Sequence, residues 1–294
     1  MRPRQMTRKL EVFALHARTN RGVVNYPELL AAIAGRGPAS RVWRDSEKLV
    51  ALPVFRSQGP TRYRVTAVEG PLDTNPLIFN ATSADSRVEE LDRNEVLATR
   101  THALFDLTLR EVFVEYNQRG AKAEHLKHAM TTSVGAAAAW AGLDIQLTPI
   151  ASQGFVDAIN DFDRVRVATL RVSRPNIDWN DNFNHLAEVG QESDAGAIEI
   201  TVTANRGGSL SKRHGVVDYI RNMFSNEHPS ILGARVVGSR EGEGAETSIS
   251  LEHHVEHQRV RVTSDENGHV VETEIWEKLL EFSELRRQQR SKRQ

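Results

Sequence analysis

The stretch "NRGGSLSKRHG", Asn205 to Gly215, holds adjacent glycines, two serines, Arg206, Lys212, Arg213 and His214 within eleven residues. Residues of these types suit an oxyanion, because a glycine turn lets backbone N–H groups approach it and nearby cations neutralise it. The G-x-x-x-x-G-K-[ST] spacing that wraps a nucleotide phosphate is not met. What remains is a strand-to-helix turn in which Ser209 or Ser211 caps the next helix. Its N-terminus, with Arg206, Lys212, Arg213 and then Arg221, can face a nucleic-acid phosphate backbone. A capped loop with solvated charges is the other reading, and both stay open.

A second string, "HHVEH" at His253 to His257, matches the H-x-x-E-H of inverted zinc peptidases, whose histidines must stand one helical turn apart. Here Ile249, Leu251, His253, Val255 and His257 alternate with polar neighbours, which predicts a strand and separates His253 from His257. "PNIDWNDN", Pro175 to Asn182, lacks the sharp-turn glycine of a calcium loop and carries Val189 where a bidentate Glu belongs. It reads as a helix start capped by Asp178, with Asp181 in the first turn. Asp157, Asp161 and Asp163 could gather round a divalent ion, as nuclease carboxylates do, but a solvated helix face also accounts for them. No G-x-S-x-G elbow, no G-x-G-x-x-G after a strand and no cysteine is present. The expectation is therefore no catalytic residue, no metal and no cofactor.

These residues must be carried by a body of ordinary globular composition, 39% hydrophobic and 26% charged over 294 residues. "KLEVFALHAR" predicts a strand and "YPELLAAIAG" a helix. Residues 40 to 83 predict an antiparallel meander, followed by a helical turn near Ser86 to Asp92 and the strand-like "ALFDLTLREVFVEYN". From Arg119, helix and strand alternate: "AKAEHLKHAMTTSVGAAAAWAG", "LDIQLTPI", "SQGFVDAINDF", "RVRVATLRVS", "DWNDNFNHLAEVG", "AIEITVTAN", then the helix "SKRHGVVDYIRNMFSNE". That order fits β-α-β units or a split βαβ sheet. Trp140, within the Ala-rich end of the first long helix, fits a core or a subunit interface. A hairpin turning at Asn267-Gly268 and a C-terminal helix complete the chain. The fold class expected is α+β, with mixed antiparallel and split βαβ sheets, flanking helices and two lobes. The boundaries are an N-terminal domain at 1–150, a central and mobile lobe at 151–250, and a C-terminal hairpin and helix at 251–294 that packs back on the first domain.

Net charge is −1, yet both ends are basic. Arg2, Arg4, Arg8, Lys9, Arg18 and Arg21 stand against Glu11, and the tail after Glu284 adds Arg286, Arg287 and Arg290 with no acid. Basic ends on a neutral body are the charge pattern of a protein that touches nucleic acid, and equally of solvated tails. No apolar run reaches the roughly 20 residues of a membrane span, and no apolar segment follows the basic start. The expectation is a cytoplasmic protein, not embedded in a membrane.

The element order, the central "FDRVRVATLRVSRPNIDWND" and the late "RVRVTSDENGHVVETEIW" together resemble the lambda-type RexA phage-exclusion family. The resemblance implies a globular part similar to the recombination-associated protein RdgC, with a mobile second lobe. It implies a homodimer that binds double-stranded DNA without reading sequence, as the sensor of an abortive response to phage beside a membrane effector protein encoded nearby. The family brings no catalytic residue, and this chain departs from it by an additional segment, Ser209 to Ser239. The DNA-binding residues are then expected to be Arg206, Lys212, Arg213, Arg221, Arg286, Arg287 and Arg290. A metal-dependent nuclease or hydrolase of phage defence and a protein-interaction scaffold are the alternatives.

Overall fold

Leu10, Val12, Phe13, Leu15 and Ala17 draw the opening segment into one long strand, β1 (Gln5–Thr19), and all five are buried. The structure is a computed structural model that describes residues 4–292, apart from 73, 83, 93–94, 174–192, 194, 196, 226–230 and 242–244. A turn leads through β2 (Gly22–Val23) to α1 (Tyr26–Ala34), where Asn25 caps the Glu28 N–H and Leu29, Leu30 and Ile33 are buried. The meander follows as β3 (Val42–Arg44), β4 (Lys48–Ser57) and β5 (Arg62–Pro71). β6 (Leu77–Asn80) and β7 (Asp85–Val88) form a separate two-stranded ribbon, so the helical turn expected near Ser86 is a strand. β8 (Thr99–Asp106) and β9 (Glu111–Tyr116) form a hairpin. α2 (Ala123–Gly135) ends before the alanine run, which turns as a short 3₁₀ segment with Ala138 and Ala139 exposed and Trp140 half-buried. β10 (Asp144–Pro149) closes this half of the chain.

The chain divides into two compact units, residues 1–147 with 258–294, and residues 148–257. The second opens with α3 (Gln153–Asn160) and β11 (Arg164–Ser173), continues with β12 (Ala197–Thr203), α4 (Val216–Ser225) and β13 (Ile231–Ser239), and ends in β14 (Thr247–Ser250). The sheet order is β12-β11-β13-β14 with every pair antiparallel. β12 and β13 therefore run parallel on either side of β11, joined through α4, which is the split β-α-β arrangement; no two adjacent strands of this sheet are parallel. Phe155 and Ile159 of α3 and Val217 and Ile220 of α4 pack with Val165, Ala168, Leu170 and Val172 of β11 in its core. The expected helix at "DWNDNFNHLAEVG", with Asp178 and Asp181, lies outside the described residues.

The chain then returns to the first unit as β15 (His257–Thr263), which pairs with β1, and α5 (Glu272–Ser291). The Asn267-Gly268 turn is present, with Gly268 at φ +83°, and its returning arm is a single antiparallel bridge, Ser264 with Val270, before α5 begins. The large sheet runs β10-β1-β9-β8-β5-β4-β3. β8 and β9 turn one face toward α5. The aligned pairs on that face are Leu104 with Phe113 and Asp106 with Glu111, and His102 contacts Glu115 next along. Phe282 meets Phe113 edge to face at 5.2 Å, and Trp276 meets His102 likewise at 5.4 Å. α5 thus covers a stripe that is apolar in the middle and ionic at both ends.

Candidate nucleic-acid interface

The ionic ends of that stripe decide the fate of the basic tail. Asp106 is fully buried; Arg287 donates to both its oxygens, and Arg62 and Ser283 donate to Oδ2. Burial pushes its carboxyl pKa up, but hydrogen bonds from Arg287, Ser283 and Arg62 outweigh this and hold it below the usual carboxylate value. Glu111, also fully buried, accepts from Arg286 and forms an ion pair with Arg290 at 3.0 Å. Arg286, Arg287 and Arg290 are therefore structural ion-pair partners of strand carboxylates. To hold DNA phosphate instead, as expected from the sequence, Arg286 and Arg290 would have to leave Glu111 buried without a cation and Arg287 would have to leave Asp106 to Arg62 and Ser283.

The loop at Asn205 to Gly215 is corrected in part. Three of its N–H groups are engaged: Gly208 donates to Asn205 O, Leu210 to Val165 O of β11 and Arg213 to the Ser211 hydroxyl. Ser209 accepts from Val165 N, and the helix begins only at Val216, so neither serine caps it. Lys212 Nζ donates to the carbonyls of Asn160 and Phe162, and Arg221 donates to Lys212 O at 2.8 Å. The loop is a pinned turn, not an open cradle. Arg206 and Arg213 alone of the expected set are exposed with no side-chain partner among the described residues.

The histidine string is not one strand. A 3₁₀ turn at Leu251–His253 interrupts it, and β15 starts at His257, whose Nδ1 lies 2.9 Å from Val255 O. Among the described residues no three His, Asp or Glu side chains gather as a metal site. Asp157 accepts from Gln153, and Asp163 accepts from Glu241 N. No helix among the described residues is long and apolar enough to cross a membrane.

A cationic surface emerges elsewhere in the first unit, from residues that neighbouring strands bring together. The starts of β1 and β15 and the end of β9 enclose a depression of about 420 Å³ lined by Arg8, Lys9, Tyr116, Asn117, Arg119 and Arg259 among others, with no acid. Beside it, and sharing Arg8 and Asn117, lies a second cavity of about 400 Å³ that adds Arg100 and His102. Its one lining carboxylate, Glu115, is buried. Asn117 organises the corner: its Nδ2 donates to Arg100 O, its Oδ1 accepts from Arg119 N, and its own carbonyl accepts from Gly120 N. Only glycine fits at 120, because a Cβ there would stand 2.3 Å from Thr101 Oγ1.

Arg100, Arg119 and Arg259 are exposed with no side-chain partner among the described residues, whereas Arg8 pairs with Glu115 and Lys9 with Glu11. Tyr116 is 42% exposed, with Lys9 and Lys122 at 5.3 and 4.4 Å from its ring centroid. Burial lowers the Lys122 ammonium pKa below its usual value, with the nearby Glu69 and Glu11 charges opposing. Arg119 and Arg259 at the acid-free depression, with Arg100 in the cavity beside it, can neutralise successive phosphates. Of this surface, sequence reasoning picked out only Arg8 and Lys9, as part of a basic start. The signal for the rest was absent locally, since Arg100 and Arg259, in strands, and Arg119, in a turn, are far apart along the chain and each is an ordinary surface cation. Compared with protein-family models and with curated proteins, the chain matches none.

Proposed function

We propose that this protein binds nucleic acid through its phosphate backbone, with the depression around Arg8, Lys9, Tyr116, Arg119 and Arg259 as the principal contact and Arg100 beside it. The supporting observation is that Arg100, Arg119 and Arg259, exposed and without side-chain partners among the described residues, line two adjoining hollows in which Glu115, a buried residue, is the one lining acid among the described residues. Exposed Arg206 and Arg213 form a separate contact in the second unit. Backbone contacts position a protein without reading bases. The resemblance to the RexA phage-exclusion family carries the reading further, to duplex DNA bound by a homodimer as the sensor of an abortive response.

Affinity for unrelated duplexes across a salt series tests it. Binding should ignore sequence and fall with a log–log salt slope of roughly −3 or steeper from Arg100, Arg119 and Arg259. Replacing Arg119 and Arg259 together by Glu should weaken every duplex at least about tenfold and flatten the slope by about 2. Salt-independent binding, or none in dilute buffer, overturns the reading. Single-stranded competitors of equal length settle whether duplex is preferred.

A further inference from the structure

The second cavity holds a group that backbone binding does not use. His102 is 2% exposed; its Nδ1 lies 2.7 Å from Glu115 Oε2, while Nε2 is buried without a hydrogen-bond partner. The carboxylate places the proton on Nδ1, so Nε2 is the atom left for a ligand. Glu272 Oε1, at 3.9 Å, is too distant to serve it. A buried polar atom with no partner is rare and destabilising, and a cavity beside it supplies the place where one can bind.

Arg8 and Arg100 line the same cavity. Arg8 Nε stands 3.2 Å from Glu115 Oε1, so one carboxylate holds both the guanidinium and the imidazole in place. Arg100 is exposed and has no partner among the described residues. With Glu115 so engaged, the complement of two guanidinium groups and an imidazole is a compact oxyanion carrying more than one charge. The volume of about 400 Å³ falls within the size of small-molecule sites.

We infer that this cavity binds a phosphomonoester, on a free nucleotide or at the end of a nucleic-acid strand. Arg8 and Arg100 neutralise its charge, and His102 meets a phosphate oxygen with a hydrogen bond at Nε2. A strand end is a natural source because the cavity adjoins the depression through Arg8 and Asn117. The inference does not depend on backbone binding, since a free nucleotide needs only the cavity.

Calorimetric titration of the full chain with adenosine 5′-monophosphate, competed by inorganic phosphate at constant ionic strength, is the first arm. Saturable one-to-one binding is expected, weakened at least about tenfold by Arg100→Ala and by His102→Gln and unmoved by Arg36→Ala, at an exposed arginine outside both hollows. Arg100→Ala changes an exposed, unpartnered side chain and keeps the test decisive if His102→Gln fails to fold. The second arm compares hydroxyl-ended with 5′-phosphorylated duplexes; tighter binding of phosphorylated ends that vanishes in Arg100→Ala identifies the strand end as the source. Hydroxyl-ended duplexes report on backbone binding alone, so its failure is seen separately. If neither nucleotide affinity nor a preference for phosphorylated ends depends on Arg100, the inference is overturned.

Discussion

Arg286 donates from Nε and Nη2 to the two oxygens of Glu111, at 3.3 and 2.7 Å, and both side chains are almost wholly removed from water. The pair ties α5 to β9. Replacing Arg286 by Ala leaves a buried carboxylate with Arg290 as its remaining cation, and a broken buried pair costs about 3–5 kcal/mol. Denaturant unfolding should show that loss, while the folded variant keeps its duplex affinity at fixed salt. An Arg286→Ala protein of undiminished stability that has lost DNA would reverse the assignment.

Lys212 belongs to the same class of misread cation. Its ammonium holds the carbonyls of Asn160 and Phe162, so Lys212→Met should destabilise the second unit by about 1–2 kcal/mol and speed amide exchange in the loop. Arg213→Glu, at an exposed neighbour, should stay within about 0.5 kcal/mol of the parent. Equal effects of the two changes in thermal unfolding would refute the tether.

His16 sets an acid limit on stability. Burial first, and the Arg110 charge second, lower its pKa from 6.5 to about 4. The unfolded chain then binds more protons than the native one between those values. Stability is full above pH 6.5, falls as pH descends through the window, and levels off below pH 4, with a ceiling of about 3 kcal/mol. Burial also lowers the His128 pKa, so its contribution has the same sign. His16→Gln should flatten the stability profile over this range; an unchanged slope would show that His16 is not its origin.

Gly238 sits where β13 crosses the β11 entrance. A Cβ there would stand 2.5 Å from Arg164 O and 2.7 Å from Phe162 Cγ, and Phe162 is fully buried. Gly238→Ala should cost about 1–3 kcal/mol by overpacking. Gly233, in the same strand, has no atom closer than 3.9 Å to such a Cβ, so Gly233→Ala should be near neutral. Chemical denaturation of the two variants distinguishes a packing constraint at 238 from a general intolerance of the strand.

Periodicity alone determined where most described strands and helices lie, because alternation along β1, β5 and β11 and the helical spacing of Leu29, Leu30 and Ile33 are local consequences of which faces are buried. It misplaced β7, whose residues are all exposed and so carry no burial pattern, and it ran past the 3₁₀ turn at Leu251. Composition likewise identified the cations but not their partners. Arg286, Arg287 and Arg290 read as a solvated tail, yet they answer Asp106 and Glu111, roughly 180 positions earlier in the chain. Arg100, Arg119 and Arg259 read as nothing in particular until strand pairing and the Asn117 corner brought them together. Charge is a property of the residue, whereas whether a charge is spent on a buried carboxylate or left facing water depends on which distant strand the fold sets against it.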